Sequence, residues 1–231
     1  MTEIDFKDKT KALIDSLKSI SANYGLGNDG NEFKIITQVF LYKFMNDKFA
    51  FEVKKLDSKL KKSENWEKVI GAYSDDDYEM LLLQLGADTA KLKPQHFISE
   101  LFSRQNESDF AKLFDDTLMD IAITNNDIFS VKTDGGAKVV LFDRLTEYIS
   151  DGSKRDAFAK AIINKLVGVS FEHIFNQKFD FYATIFEYLI KDYNTNSGGK
   201  YAEYFTPHAV AKIMAAILVN EPVQDVTVYD P

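Results

Sequence analysis

Apolar residues recur at intervals of three and four along most of this chain, the spacing that places them on one face of an α-helix. In 108–123, for example, Phe110, Leu113, Phe114, Leu118 and Ile121 share one side. The pattern predicts a mainly helical protein. The predicted helices cover 4–22, 31–62, 74–87, 93–105, 108–123, 141–150, 154–166, 180–193 and 207–219.

The long helix predicted over 31–62 changes character along its length. Its first half is apolar on more than one face, which indicates burial between neighbouring elements. Its second half carries five lysines between Lys54 and Lys62, so we expect it to leave the core. This lysine-rich stretch is typical of a solvated helix end, although contact with DNA phosphates or with a partner is the alternative.

Two segments interrupt the helical pattern. "SVKTDGGAKVVLF" places Asp-Gly-Gly between short β-branched runs and predicts either a hairpin or a loop. "YNTNSGGK" has the composition of a mobile linker.

The stretch "VTVY" after the last helix has strand propensity and is followed by Asp230. A helix, a turn and an apolar strand ending in an acidic residue are typical of the start of an open α/β nucleotide-binding fold. The fold class is therefore mainly α, with a helical N-terminal domain followed by the opening helix and strand of a Rossmann-like domain.

Composition narrows the functional classes. The 231 residues are 45% apolar and include 19 Phe, enough for a large packed core, and there is no Cys for a disulfide or a thiolate metal site. His96, His173 and His208 are scattered and predict no metal site, and "SDDDYE" reads as a helix start. The net charge of −8 argues against a domain that grips DNA alone. Neither a signal peptide nor an apolar run of membrane-spanning length is present, so we expect a cytoplasmic protein with no membrane partner.

The stretch "GGKYAEYFTPHAVAKIM" combines a glycine pair, aromatic rings and a helix start. As plain structure, Thr206 is a good N-cap, Pro207 suits the first helical position, and Phe205 and Val210 have the spacing of a hydrophobic staple. That interpretation leaves Tyr201, Glu203 and Tyr204 unexplained. The alternative is a binding loop, in which free amides face a ligand carboxylate and an aromatic ring packs on a heterocycle or a sulfonium.

This stretch, followed by "VTVYDP", resembles the start of the catalytic domain in modification subunits of type I restriction–modification systems, which are N6-adenine DNA methyltransferases. "FKIITQVFLYKFMNDKF" and "FDFYATIFEYLIKDY", with its Glu187-Tyr188 pair, are similar to helices of the same family. The resemblance implies a helical N-terminal domain over 1–175 and the start of an S-adenosylmethionine-dependent methyltransferase domain over 176–231. It also implies cofactor contacts at Glu203, Tyr204, Phe205, Thr206, Pro207, His208 and Asp230. His208 departs from the family pattern, where an Arg or another polar residue often stands.

The Asn/Asp-Pro-Pro-aromatic tetrapeptide that holds the target adenine in this family occurs nowhere in the chain. We therefore assign no catalytic residue and expect an inactive N-terminal fragment of a larger enzyme that binds S-adenosylmethionine weakly or not at all. The partners that the resemblance implies are DNA in the full complex, a specificity subunit, a restriction subunit and a second modification subunit. The alternative from a different class is a non-enzymatic helical protein-interaction module.

Overall fold

The structure, a computed structural model, describes residues 3–27, 30–63, 65–129, 141–176, 185, 187–189, 206 and 208–219. Within these ranges the chain forms helices and no strand. The α-helices are α1 (Glu3–Asn23), α2 (Gly30–Leu56), α3 (Ser58–Lys62), α4 (Trp66–Gly71), α5 (Asp75–Leu83), α6 (Ile98–Ser103), α7 (Phe110–Thr124), α8 (Asn126–Phe129), α9 (Arg155–Val167) and α10 (His208–Leu218). The 3₁₀ turns are Pro94–His96, Leu145–Tyr148, Gly152–Lys154 and Glu172–Asn176.

The chain divides into two compact units, Met1–Tyr188 and Leu189–Pro231, here called unit 1 and unit 2. The predicted hairpin or loop, the linker and the strand "VTVY" lie outside the described residues. The mainly helical prediction is confirmed for the described residues, and the Rossmann-like opening strand stays a prediction. So does the domain division at 175 and 176.

The core of unit 1 is built around α2 and α9. Helix α2 packs against α1, α3 and the turn Glu172–Asn176, while α9 packs against α1, α6 and α7. Aromatic rings fill the spaces between these elements: the ring centroids of Trp66 and Phe97 lie 4.9 Å apart, and those of Phe6 and Phe171 lie 5.6 Å apart in an edge-to-face arrangement. Such pairs add stabilisation to the burial of their large apolar surfaces.

The predicted apolar stripe of α7 is confirmed. Phe110, Phe114, Leu118 and Ile121 are all buried completely, and Leu113 at the edge of the stripe is half-buried. The start of α5 is also confirmed, because the Ser74 side chain accepts the N–H of Asp77 and the first turn carries three aspartates. Acidic residues stabilise this end of a helix through its dipole.

The single helix predicted over 31–62 is broken at Asp57. The backbone of Asp57 is extended, and its carboxylate accepts the N–H of Lys59 at 2.7 Å, which caps α3 as a separate helix. The expectation that this half leaves the core is only partly correct, since Val53 and Leu60 are completely buried. The lysines around them remain at the surface or half-buried.

The helix predicted over 141–150 is wrong. Only the 3₁₀ turn Leu145–Tyr148 forms there. Side chains of other helices bind backbone N–H groups of the segment 141–150. The N–H of Thr146 binds the Asp115 carboxylate at 3.1 Å, and the N–H of Asp143 binds Gln38 Oε1 at 2.7 Å. Side chains that compete for backbone donors in this way replace the i to i−4 ladder of an α-helix.

The segment predicted as one helix over 93–105 forms a 3₁₀ turn and then α6. Phe97 between them has an extended backbone, with φ −69° and ψ 141°. Two side chains of α2 hold this break: the hydroxyl of Tyr42 donates to the His96 carbonyl at 2.7 Å, and Asn46 Oδ1 accepts the N–H of Ile98 at 3.1 Å. The buried polar groups of α2 therefore decide the path of the chain from 96 to 98.

Candidate cofactor-binding segment

The residues predicted to contact a cofactor belong to unit 2, and the structure describes two of them. Thr206 is exposed and lies outside the helix, and His208 is the first residue of α10. Glu203, Tyr204, Phe205, Pro207 and Asp230 lie outside the described residues. The predicted helix over 207–219 is confirmed from His208 to Leu218. The contacts assigned to the seven residues stay predictions.

Helix α10 is long enough to present a complete helix N-terminus. Its eleven residues read HAVAKIMAAIL, with no acidic residue in the first turn. The amides of a first turn have no partner within the helix and carry the positive end of its dipole. The start of α10 can therefore bind an anionic group, and a carboxylate is one such group.

The apolar side chains of α10 are exposed. The exposed fraction is 61% for Ile213, 68% for Ile217 and 78% for Leu218. These residues recur at the three- and four-residue spacing that places them on one helix face.

Unit 1 contains a histidine cluster with the geometry of a structural group. His96 is completely buried, its Nδ1 accepts the N–H of Lys93 at 3.1 Å, and its Nε2 lies 2.7 Å from Asp120 Oδ2. Because Nδ1 is an acceptor, the proton sits on Nε2 and is donated to Asp120. The Lys93 ammonium also binds Asp120, at 2.9 Å. Every polar atom of the imidazole is therefore occupied.

Burial lowers the pKa of His96, and the hydrogen bond and charge of Asp120 oppose that shift only in part. Burial raises the pKa of Asp120, but hydrogen bonds from Lys93 and His96 outweigh it and bring the pKa below its usual range. A neutral, sealed imidazole paired with an ionised carboxylate fixes the turn Pro94–His96 against α7. Within the described ranges no group of three or more His, Asp or Glu residues is arranged to hold a metal ion.

Two further buried polar residues on α7 and at its end bind backbone groups. The Asp115 carboxylate accepts the N–H of Thr146 and, at 2.5 Å, the Thr146 hydroxyl, and burial raises the pKa of Asp115. Asn125 accepts the N–H of Lys91 at 2.7 Å and donates to the Lys91 carbonyl at 2.9 Å. Sequence reasoning missed both residues. Their position along the apolar stripe of α7 is the signal that could have found them, since a polar residue on a buried face needs partners.

The lysine-rich stretch divides into paired and unpaired residues. Lys54 binds Glu172 at 2.7 Å, and Lys55 binds Glu52 at 3.1 Å. Lys59, Lys61 and Lys62 on α3 are exposed, and among the described residues none of them forms an ion pair. The part of the stretch that can attract an anionic partner is therefore α3.

Comparison with known proteins relates the C-terminal part of the chain to one enzyme class. Residues 177–231 match the model of the family described as N-6 DNA Methylase. The matched segment begins within unit 1 and includes all of unit 2. No curated protein and no solved structure matches the chain. The match relates this segment to N6 DNA methyltransferases, the class that the motif around Phe205 and Asp230 indicated.

Among the described residues, every helix is too short or too polar to cross a membrane.

Proposed function

We propose that this chain is the N-terminal part of a modification subunit of a type I restriction–modification system, an enzyme that methylates adenine N6 in DNA. The observation that carries the proposal is the family match over 177–231, which includes the Phe205-Thr206-Pro207 step and Asp230-Pro231. The start of α10 at His208, directly after that step, supports the same interpretation. We expect the protein to act in the cytoplasm.

The described residues at the start of α10 fit S-adenosylmethionine. The first-turn amides of α10 suit the carboxylate of its amino-acid part, and Thr206, two residues before the helix starts, is exposed. When bound, the cofactor would supply an electrophilic methyl group on a sulfonium. We assign Tyr204 and Phe205 to aromatic contacts with it, Asp230 to its charged end, and Glu203, Pro207 and His208 to the same binding loop.

The residues that would bind the target base are not found among these 231. Transfer to adenine requires the base to leave the stack and to be held by acceptors for its amino group and by an aromatic ring. The chain has four prolines and no Asn-Pro-Pro or Asp-Pro-Pro sequence. We therefore expect no methyl transfer by the 231 residues alone.

The first experiment reads the coding sequence beyond Pro231. We expect a glycine-rich turn and an Asn-Pro-Pro-aromatic motif, and a stop codon with neither motif nearby would overturn the enzymatic proposal for this chain. The protein from the whole reading frame should form N6-methyladenine in DNA, measured by mass spectrometry, together with co-expressed specificity subunit. Phe205→Ala and Asp230→Ala should each reduce the product at least about tenfold, while Lys9→Glu on α1 should not.

A second experiment measures cofactor binding by the 231 residues themselves. Calorimetric titration with S-adenosylmethionine should show weak or no binding, because a complete pocket needs contacts on several sides of the ligand. Tight binding would contradict the proposal that part of the pocket is missing. Copurification tests the partners that we propose, namely the specificity and restriction subunits and a second copy of the modification subunit.

A further inference from the structure

A groove lies between α3 and α4 on one side and α5 on the other, entirely within unit 1. It has a volume of about 830 Å³, within the range of sites that hold drug-sized ligands. The lining residues are Leu56, Asp57, Lys59, Lys68, Val69, Ala72, Tyr73, Asp77, Met80, Leu81 and Gln84. Nothing in the proposed methyltransferase function uses this groove.

Apolar side chains from two helices line part of the groove, beside its polar residues. Leu56 is 41% exposed and Met80 is 59% exposed, whereas Leu81 beneath them is buried. Large apolar side chains grouped in a concave surface are typical of contact sites for other molecules.

The two edges of the groove carry opposite charges. Lys59 and Lys68 form the edge on α3 and α4, and neither has an ion-pair partner among the described residues. The other edge is the start of α5, where Asp77 lines the groove and Asp75 and Asp76, also exposed, precede it. The groove therefore presents a basic edge, apolar side chains and an acidic edge.

The carboxylates inside the groove are engaged within the protein. Asp57 accepts the Tyr73 hydroxyl as well as the N–H of Lys59, and Asp77 accepts the Ser74 hydroxyl at 2.7 Å. Together with burial, the contact with Asp57 raises the pKa of Tyr73 to about 12. The Tyr73–Asp57 bond joins the connection between α4 and α5 to the start of α3, and the Ser74–Asp77 bond caps α5. Such internal bonds order the lining of the groove before a partner docks, which limits the entropy lost on docking.

We propose that this groove docks an amphipathic helix of another protein. The occupant has an apolar stripe for Leu56 and Met80, carboxylates along the edge that faces Lys59 and Lys68, and Lys or Arg along the edge that faces the start of α5. Helix-in-groove recognition combines apolar anchors with charged edges in this way.

Two other occupants fit the groove less well. DNA is uniformly anionic, so its phosphates would meet the three exposed aspartates of α5 and would gain nothing from Met80. Helix α10 of a second copy is apolar, but it carries no carboxylate between His208 and Leu218. It therefore offers nothing to Lys59 and Lys68.

The test uses the full chain and fluorescein-labelled synthetic helical peptides, with binding measured by anisotropy. The mixed-edge peptide has a leucine stripe, one glutamate edge and one lysine edge; the basic peptide has lysine on both edges. We expect the mixed-edge peptide to bind and to shift amide resonances of α3, α4 and α5. Lys59→Glu combined with Lys68→Glu should weaken it at least about tenfold and should make the basic peptide the tighter ligand.

Controls separate docking from general charge and from misfolding. Lys9→Glu combined with Lys11→Glu makes the same charge change at exposed positions of α1 and should leave binding unchanged. Met80→Asp, also at an exposed position, should weaken both peptides while circular dichroism stays constant. Tighter binding of the basic peptide by the variant with Lys59→Glu and Lys68→Glu is a gain that loss of structure would not produce.

Several results would overturn the proposal. One is that neither peptide binds. Another is that the α1 control variant loses as much affinity for the mixed-edge peptide as the variant with Lys59→Glu and Lys68→Glu. A third is that this double substitution does not change which peptide binds more tightly. Displacement of the mixed-edge peptide by a short DNA duplex would assign the surface to nucleic acid instead. Self-association in analytical ultracentrifugation that Met80→Asp abolishes would assign it to a second copy.

Discussion

Asp47 Oδ1 lies 2.9 Å from the Nζ of Lys43, one turn earlier on α2, and both side chains are only 4% exposed. The other oxygen of Asp47 accepts the N–H of Phe171 at 2.7 Å, across 124 positions of sequence. Asn46 donates to the same carboxylate at 3.1 Å and accepts the N–H of Ile98. The buried Asp47 thus fixes the Phe171 backbone to α2, and Asn46 beside it fixes the start of α6.

Replacing Asp47 with Ala should destabilise unit 1 strongly. The Lys43 ammonium and the Phe171 N–H would both lose a buried acceptor, and breaking a buried pair in this way costs about 3–5 kcal/mol. Asp116→Ala is the control at the surface, where Asp116 accepts Lys112 one turn earlier and also pairs with Arg144 at 2.8 Å, all three side chains being well exposed. That change should cost no more than about 1 kcal/mol. Urea denaturation measures both, and equal losses would contradict the structural role of Asp47.

Asn125→Asp should also be costly. The Asn125 amide donates to the carbonyls of Lys91 and Ile121, both at 2.9 Å, and a carboxylate at that position could donate to neither. The Lys91 carbonyl would lose this partner, the Ile121 carbonyl would keep only the N–H of residue 125, and a charge would be buried beside them, so the free energy of unfolding should fall by about 2–4 kcal/mol. Asn164→Asp removes a similar amide at an exposed position of α9 and should cost less than about 1 kcal/mol. If both variants unfold at the same denaturant concentration, the prediction that Asn125 stabilises the fold through these bonds is contradicted.

The stability of unit 1 should fall in mild acid because of His96. Burial lowers its pKa from 6.5 in the folded chain, so the unfolded chain binds a proton first as the pH drops. The free energy of unfolding therefore decreases as the pH falls below about 6.5, until the folded pKa is reached. His96→Gln removes this dependence, so the stability difference between the native chain and the variant should shrink with falling pH.

The native chain should give ¹⁵N chemical shifts for His96 of a neutral ring protonated at Nε2. At neutral pH, His173→Gln at an exposed position should cost less than about 0.5 kcal/mol. A stability difference for His96→Gln that stays constant from about pH 7.5 to 5 would show that His96 is not held neutral.

Substituting the exposed face of α10 should not affect folding. Ile213→Lys combined with Ile217→Lys replaces side chains that are 61% and 68% exposed, so we expect a change of less than about 0.5 kcal/mol and weaker binding of the dye ANS. Ile121→Lys, at a completely buried position of α7, should cost more than about 4 kcal/mol. A large loss of stability in the α10 variant would mean that its apolar face is covered in solution.

The helices were predictable where apolar spacing and local capping agree. The stripe of α7 and the start of α5 at Ser74 follow from interactions within a few residues, which sequence alone displays. The break at Asp57 was missed because the aspartate caps α3 with its own carboxylate while Tyr73, 16 positions away, donates to the same group. The helix predicted over 141–150 failed for a related reason: Asp115 and Gln38 take the backbone donors.

The candidate cofactor segment was found from the sequence, because the Phe205-Thr206-Pro207 step and Asp230-Pro231 are local motifs, and the family match covers both. The groove could not be found in this way. In the sequence, Lys59 belongs to the lysine-rich stretch, Lys68 follows that stretch, and Met80 lies in a separate predicted helix. Only the packing of α3, α4 and α5 places a basic edge beside exposed apolar side chains.

The sequence by itself thus determined the helical class, most helix positions and the segment related to N6 DNA methyltransferases, since periodicity, capping and motifs are encoded within short stretches. Tertiary structure alone decided that Lys43 and Asp47 are buried together, that His96 is neutral, and which lysines remain unpaired. These properties depend on distance, burial and hydrogen bonding between residues that lie far apart in the chain.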